Sequence, residues 1–560
     1  MTAHPLRALA RLLRAWSGPV AVFLLVVVAR AGPLRPEEGV ILLANSADPE
    51  SLRIARHYAE VRRVPEANII SLPLPLAETI SWSEFVVTLW QPLQDELIRR
   101  NWIKAIPISS VDPVGRKKFA PLGHRITALV ICRGVPLRIA HDPALVADTL
   151  PYTRQAVFRT NQSSVDSECG LLAAGSYPIN AFVPNPLYQN NAPTADELAR
   201  IVKVSRLDAP SFAEANALVD QAVAAERHGL LGRAYVDIGG AHPNGDRWLE
   251  DVVGQLTTLG FDLSVDRDPA TLPISARIDA PMLYFGWYAG NLNGPFSLPG
   301  FRFPPGAIAQ HIHSYSAVTL RSTASGWSGP LLARGATATL GNVFEPYLEL
   351  THRPQLLLRA LSRGATLVDA ATYALPAFSW QTVLVGDPLY RPFAVSLETQ
   401  MANPATLPPR LAGYAALRRI LLLEAGGKSA EALALGRKSL VATPNLALGL
   451  ALAQRFHAAD DAMSAAQAVG FAALLPSFPP DEWSLAATAA QLLADVGRPA
   501  HAVAIYRALL GTKSPPDELR LGWVRPALAA ARLAKDEAQV RRWNDLLAEL
   551  TPPAPPAAKP

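Results

Sequence analysis

Cysteine is nearly absent from this 560-residue chain, which has only Cys132 and Cys169. A disulfide scaffold is therefore excluded, and no Cys/His spacing of a zinc site occurs. One bridge between the two is conceivable in an oxidising compartment, but spacing alone does not say whether they meet. Cys132 ends an apolar run and reads as a structural residue. Charge is scarce too, at 18% of residues against 50% hydrophobic. That balance allows a large buried core and excludes wholesale disorder.

Acidic residues are missing altogether from the first 31 positions, where Arg7, Arg11, Arg14 and Arg30 stand. Without those four arginines the net charge of +5 falls to +1. The remainder has no general pull toward phosphate backbones, so nucleic acid is not an expected partner. No apolar run reaches the ~20 residues that span a bilayer. The run at 15–29, with three arginines before it and Ala29-Arg30-Ala31 at its end, has the form of an export signal over 1–31. Retention of that segment as an anchor is the alternative. The mature chain is expected in the periplasm or outside the cell, with no stable membrane span. No cofactor is expected either. Gly426-Gly427-Lys428-Ser429 looks like the end of a phosphate loop, but Leu422 stands where its first glycine belongs.

What is present is alternation. Short β-rich runs at 40–44, 68–72, 128–132, 234–238 and 282–285 are separated by helical patterns at 49–63, 82–102, 213–228 and 247–259. Gly229 and Gly260 supply helix stops. This order predicts an α/β class with two adjacent, Rossmann-like parallel-sheet subdomains, at 32–270 and 271–400. Beyond Met401 alanine and leucine dominate and helices follow one another over 401–550. Leu423 to Ala432 recurs loosely as Ala494 to Ala502, with Gly426 and Gly497 as the shared turns. Helical pairs of this kind offer a surface for a protein partner. The Pro/Ala segment 551–560 reads as a disordered tail.

Several residues carry possible chemistry. His311 and His313 are two apart and on a strand would share a face, as two metal ligands or as a base and its support. Ser314 and Ser316 lie beside them, and Glu345 and Asp387 follow later strands and could converge on the same rim. A Ser-His-acid hydrolase is one reading, a metal site through His311 and His313 another, and hydrogen-bonded structural histidines a third. Trp287, Tyr288 and Asn291 form an aromatic, amide-rich loop suited to stacking on a sugar ring, with core packing as the alternative. Asn342, at the end of Gly335 to Asn342, is counted with that rim. Asp166 and Glu168 are candidate ligand-binding acids or parts of a helix cap. Arg133 and Arg138 bracket Gly134, where they would ligand an anion or pair with Asp166 or Glu168.

Three stretches carry a resemblance: Tyr284-Phe285-Gly286-Trp287-Tyr288, the run Gly335-Ala336-Thr337-Ala338-Thr339-Leu340-Gly341-Asn342, and Gly386-Asp387-Pro388. Together they resemble the outline of caspase-like cysteine peptidases of the gingipain type. The resemblance implies that fold over 271–400 but not its chemistry. Trp287 stands where the general-base His would fall, and Ser314 or Ser316 stands near the Cys position. Trp neither accepts nor relays a proton. Over about 38–395 the chain also resembles an uncharacterised family of exported bacterial proteins from genomes with exosortase and PEP-CTERM sorting systems. The motifs are Arg133 to Ile139, Ser163 to Glu168, Phe285 to Gly290, His313 to Ala317 and Gly341 to Leu348. That resemblance implies a surface or exopolysaccharide context. The helical segment resembles tetratricopeptide repeats. Together these imply an exported binding or assembly factor with a glycan or peptide ligand at the α/β rim. Whether the chain is an enzyme is left open.

Overall fold

The computed structural model describes residues 35–146 and 155–551, so the expected export signal and nearly all of the Pro/Ala tail lie outside the described residues. Ten strands build one sheet: β1 Val40–Asn45, β2 Ile69–Leu72, β3 Ala128–Cys132, β4 Val204–Leu207, β5 Arg233–Asp237, β6 Leu263–Asp266, β7 Pro281–Gly286, β8 Ile308–His311, β9 Ala338–Asn342 and β10 Thr382–Val385. Their spatial order is β6-β5-β7-β8-β9-β10-β4-β3-β1-β2. β2, β1, β3 and β4 pair in parallel, and so do β6, β5, β7, β8 and β9. β10 joins the two sets. It meets β4 at Arg206↔Val385 and runs antiparallel to β9, from Thr339↔Val385 to Asn342↔Thr382. The change of set falls between Leu207 and Arg233, and both sets belong to one mostly parallel sheet.

The sequence explains why these strands are central. All six residues of β1 and all five of β3 are buried, as expected of strands covered on both faces. Val40, Leu42 and Ala44 pack with Ile54, Ala55 and Tyr58 of the helix Pro49–Arg62 and Leu218 of the helix Phe212–Glu226. Ile41 and Leu43 point the other way, onto Phe85, Leu89 and Leu93. Each such leucine contributes roughly 1.5–3 kcal/mol by leaving water. The first helix starts where Asp48 accepts from the Glu50 amide. The second starts with a Ser211–Glu214 capping box.

Cys132 belongs to the first of these two apolar layers and Cys169 to the second, and both are buried free thiols. The sheet separates them, so they form no bridge. The helix expected over 82–102 is a helical turn at Trp82–Glu84, a π-helical stretch at Phe85–Trp90 and a helix at Gln91–Arg99. Asn101 then takes a left-handed φ of 59°, and a hairpin follows, Ile103–Val111 against Lys117–His124. Ile106, Ile108, Val111 and Leu122 on it are exposed, which erases the alternation that marks a half-buried strand.

Beyond residue 400 the chain is helical. Pro409–Ala425 is followed by Ser429–Ala442, and Trp483–Asp495 by Pro499–Leu510. The left-handed residues at these turns are Gly427 (φ 74°) and Gly497 (φ 75°), so Gly427, not Gly426, is the counterpart of Gly497. The helical region is fastened to the sheet region. Tyr414 donates to Asp279 at 2.6 Å in a buried setting, and Arg418 donates to the Leu259 carbonyl at 2.7 Å.

Candidate functional site

β7, β8 and β9 end side by side, so the loops that follow them form one rim. Trp287, first after β7, is buried. Its indole N–H donates to Asp246 Oδ1 at 2.8 Å, the oxygen that also receives the amides of Gly239 and Gly240. Gly240 and Gly245 lie flat against the ring: a Cβ on either would come within 2.1 Å of it. Trp287 is a wedge between two loops, which corrects its assignment to ligand contact. Tyr288 is different, at 41% exposed, with its ring 4.4 Å from that of His313.

His311 is buried at the end of β8, stacked on Trp327 with ring centres 3.5 Å apart. Its Nε2 accepts the Ala289 amide at 3.0 Å, and its Nδ1 lies 2.8 Å from Tyr284 Oη. An accepting Nε2 places the proton of the neutral ring on Nδ1. Nδ1–H therefore donates to the Tyr284 oxygen, and Asp237, whose Oδ2 accepts the Leu272 amide, lies beside that tyrosine. Burial pushes the His311 imidazole well below its usual pKa and lifts the Asp237 carboxyl to about 7. Both ring nitrogens are engaged within the fold. β8 ends at His311, so the strand spacing that was to pair it with His313 stops there. Among the described residues no group of three or more His, Cys, Asp or Glu is placed to hold a metal ion.

His313 is half-buried, and its Nδ1 bonds the backbone oxygen of Ser314 at 2.5 Å, not a serine hydroxyl. Ser316 is fully buried. Its Oγ accepts the Asn342 amide at 3.0 Å, and its carbonyl accepts the amides of Trp327 and Ser328. Asn342, also buried, donates to the His313 carbonyl at 3.1 Å and accepts from Thr351 at 3.0 Å. Ser316 and Asn342 thus fix the course of the loop 312–317 and offer nothing to a ligand. Asn291 accepts the Gly326 amide, and Glu345 accepts the Tyr347 amide.

Asp387 does not reach this rim. It follows β10, whose C-terminal end lies against the start of β9, at the opposite edge of the sheet. There it accepts from Tyr58 at 3.0 Å and pairs with Arg62, which also pairs with Glu226. The reversed direction of β10 is what defeats the expected convergence with Glu345.

The remaining candidates are internal. Ser164 caps Val165–Cys169 by accepting the Ser167 amide, and neither Asp166 nor Glu168 takes part in that cap. Asp166 is paired with the fully buried Arg206, at 2.5 Å, and with neither Arg133 nor Arg138. Arg133 binds Glu50 at 2.8 Å, and Arg138 donates to Thr79. Glu168 accepts from Tyr177 and Ser379, each at 2.6 Å.

Among what remains available on the rim are Tyr288, the side-chain nitrogen of the exposed Asn291, His313, Ser314 and Tyr315. The last, 45% exposed and held at φ 59°, is a residue the sequence reading missed. Its signal would have been an aromatic in the loop directly after β8. The rim is open and lines neither of the two clefts of about 440 and 540 Å³, which lie at the edge that carries Lys203 and Arg391. Comparison of the chain with models of known families, with curated proteins and with solved structures found no match.

Proposed function

We propose that this protein is an exported, non-catalytic binding or assembly factor of the cell envelope. Its α/β rim would hold a glycan and its helical region would dock a protein partner. One observation carries the reading: among the described residues no serine hydroxyl on the rim bonds an imidazole, and of the two acids meant to complete a triad Asp387 sits at the other edge while Glu345 accepts the Tyr347 amide. Tyr288 and Tyr315 supply exposed aromatic faces around His313, which suits the apolar face of a sugar ring. A mostly parallel sheet with an antiparallel β9–β10 pair supports a caspase-like scaffold without the dyad. Paired helices turning at left-handed glycines support a tetratricopeptide-like tail. The exosortase-associated context rests on the sequence resemblance and fits an envelope ligand.

The test is twofold. The full chain is treated with a fluorophosphonate serine-hydrolase probe and in parallel applied to a glycan array, each beside Tyr288→Ala, Tyr315→Ala and Ser314→Ala. No labelling, with glycan binding lost in the tyrosine variants, upholds the proposal. Labelling abolished by Ser314→Ala overturns it in favour of a hydrolase, since Ser314 is the rim serine with solvent access.

A further inference from the structure

The opposite edge of the sheet carries a separate feature. Two clefts, of about 440 and 540 Å³, adjoin there and share Leu198, Lys203 and Asp369 as walls. Arg359 and Arg363 line the first, and Arg125, His124 and Arg391 line the second. Asp369 is the single carboxylate on either wall, and it is already taken by Lys203 at 2.5 Å and by the Thr366 hydroxyl at 2.7 Å.

The arginines here contrast with those elsewhere in the sheet region. Arg62, Arg206, Arg233 and Arg277 are each paired with carboxylates. Arg359 and Arg363 make no ion pair or side-chain hydrogen bond among the described residues, and they stand four apart at the end of the helix Pro354–Ser362. A helix C-terminus favours cations by its dipole, which accounts for one such residue on that helix. It does not account for Lys203 and Arg391, which come from other elements to the same pair of clefts.

Lys203 has its counter-charge in Asp369, and Arg391 Nη1 donates to the Gly364 carbonyl at 2.7 Å, which brings its guanidinium to the residue next to Arg363. Arg359 and Arg363 are left without a counter-charge beside it, and an anion seated among these like charges relieves their repulsion. Guanidinium groups bind carboxylate and phosphate through two parallel N–H donors. Leu187, Leu198, Ala360 and Tyr373 add apolar wall between the charges. We infer that the two clefts form one binding site for a small organic anion with at least two acidic groups, one held by Arg359 and Arg363 and another farther along, near Arg391. The volume suits a ligand of ordinary metabolite size. This site is independent of the aromatic rim and does not rest on the function proposed for it.

The experiment is calorimetric titration of the full chain with pyrophosphate and with citrate at low salt, then at raised salt. Wild type is expected to bind at least one of them saturably, with affinity falling as salt rises. Arg359→Ala/Arg363→Ala is expected to weaken binding by about ten-fold or more, and so is Arg363→Glu, a change at an exposed position that leaves the fold intact. Arg498→Ala, in the helical region, serves as the unchanged control. A preference for pyrophosphate or citrate would identify the head group as phosphate or carboxylate. Absence of saturable binding of both probes, or equal binding by the double variant and wild type, would overturn the inference.

Discussion

The two edges of the sheet use polar residues in opposite ways. On the edge where β7, β8 and β9 end, the residues with the most chemical promise are engaged in building the loops: His311 by Tyr284 and Ala289, Ser316 by Asn342, Trp287 by Asp246. On the other edge, Arg359 and Arg363 are ordinary helix-surface residues that the fold leaves unpaired. A buried polar group must be satisfied, and satisfying it removes it from service. Residue type therefore says what a side chain can do, and its partners decide whether it is free to do it.

The sharpest way to break this contrast is to remove one partner from an engaged pair. Arg206 is wholly buried and donates to Asp166 and to the Val135 and Pro136 carbonyls. Asp166→Ala removes the hydrogen-bonded carboxylate and leaves this buried cation facing only Asp208, at 3.6 Å, and chemical denaturation should register a loss of about 3 kcal/mol. Arg363→Ala, at the unengaged edge, should stay within about 0.5 kcal/mol of wild type in the same assay. Similar losses in the two variants would erase the distinction between the edges.

Asp237 gives a smaller, pH-dependent contrast. Burial lifts its carboxyl to about 7 in the folded chain, against about 3.9 unfolded. Between those values the folded state holds the proton that the unfolded state has released, so this group's stabilisation is complete at low pH and is lost as pH rises toward 7. His311 acts in the opposite sense. Its depressed folded pKa means that acidification below about 6.5 favours the unfolded chain. Asp237→Asn removes the first effect and keeps the second. Thermal melts across pH 5 to 8 should show the variant gaining on wild type as pH rises. A difference independent of pH would mean that Asp237 is ionised in the fold.

Much of the sheet was legible in the sequence because central parallel strands are apolar throughout: Ala128–Cys132 falls where the apolar run predicts it. The hairpin at 103–124 was not, because Ile106 and Ile108 face water and its prolines read as breaks. The candidate site was legible as residue types in roughly the right loops. Which of those groups were engaged was not, because the partners are remote in sequence: Asp246 for Trp287, Arg206 for Asp166, Tyr58 for Asp387. The edge on which Asp387 falls depends on the direction of β10, and a four-residue strand reads the same in either direction. The cationic cleft was illegible for the same reason. Lys203, Arg359 and Arg391 are far apart in the chain, and each alone is a normal surface residue.

The smallest predicted effect separates stability from function on the rim itself. Tyr315 holds a left-handed φ of 59° with nearly half of its surface in solvent. That conformation costs a non-glycine residue about 1–2 kcal/mol, and an exposed ring recovers little of it through burial. Tyr315→Gly removes the strain but also loosens the unfolded chain, so the net gain should be about 0.5 kcal/mol. If the ring is retained for stacking on a ligand, the same variant should lose glycan binding while melting slightly higher than wild type. A variant that melts lower would mean that the ring supports the loop after β8, as Trp287 supports the loops around it. The rim would then have no unengaged aromatic except Tyr288, and the difference between the two edges would be nearly complete.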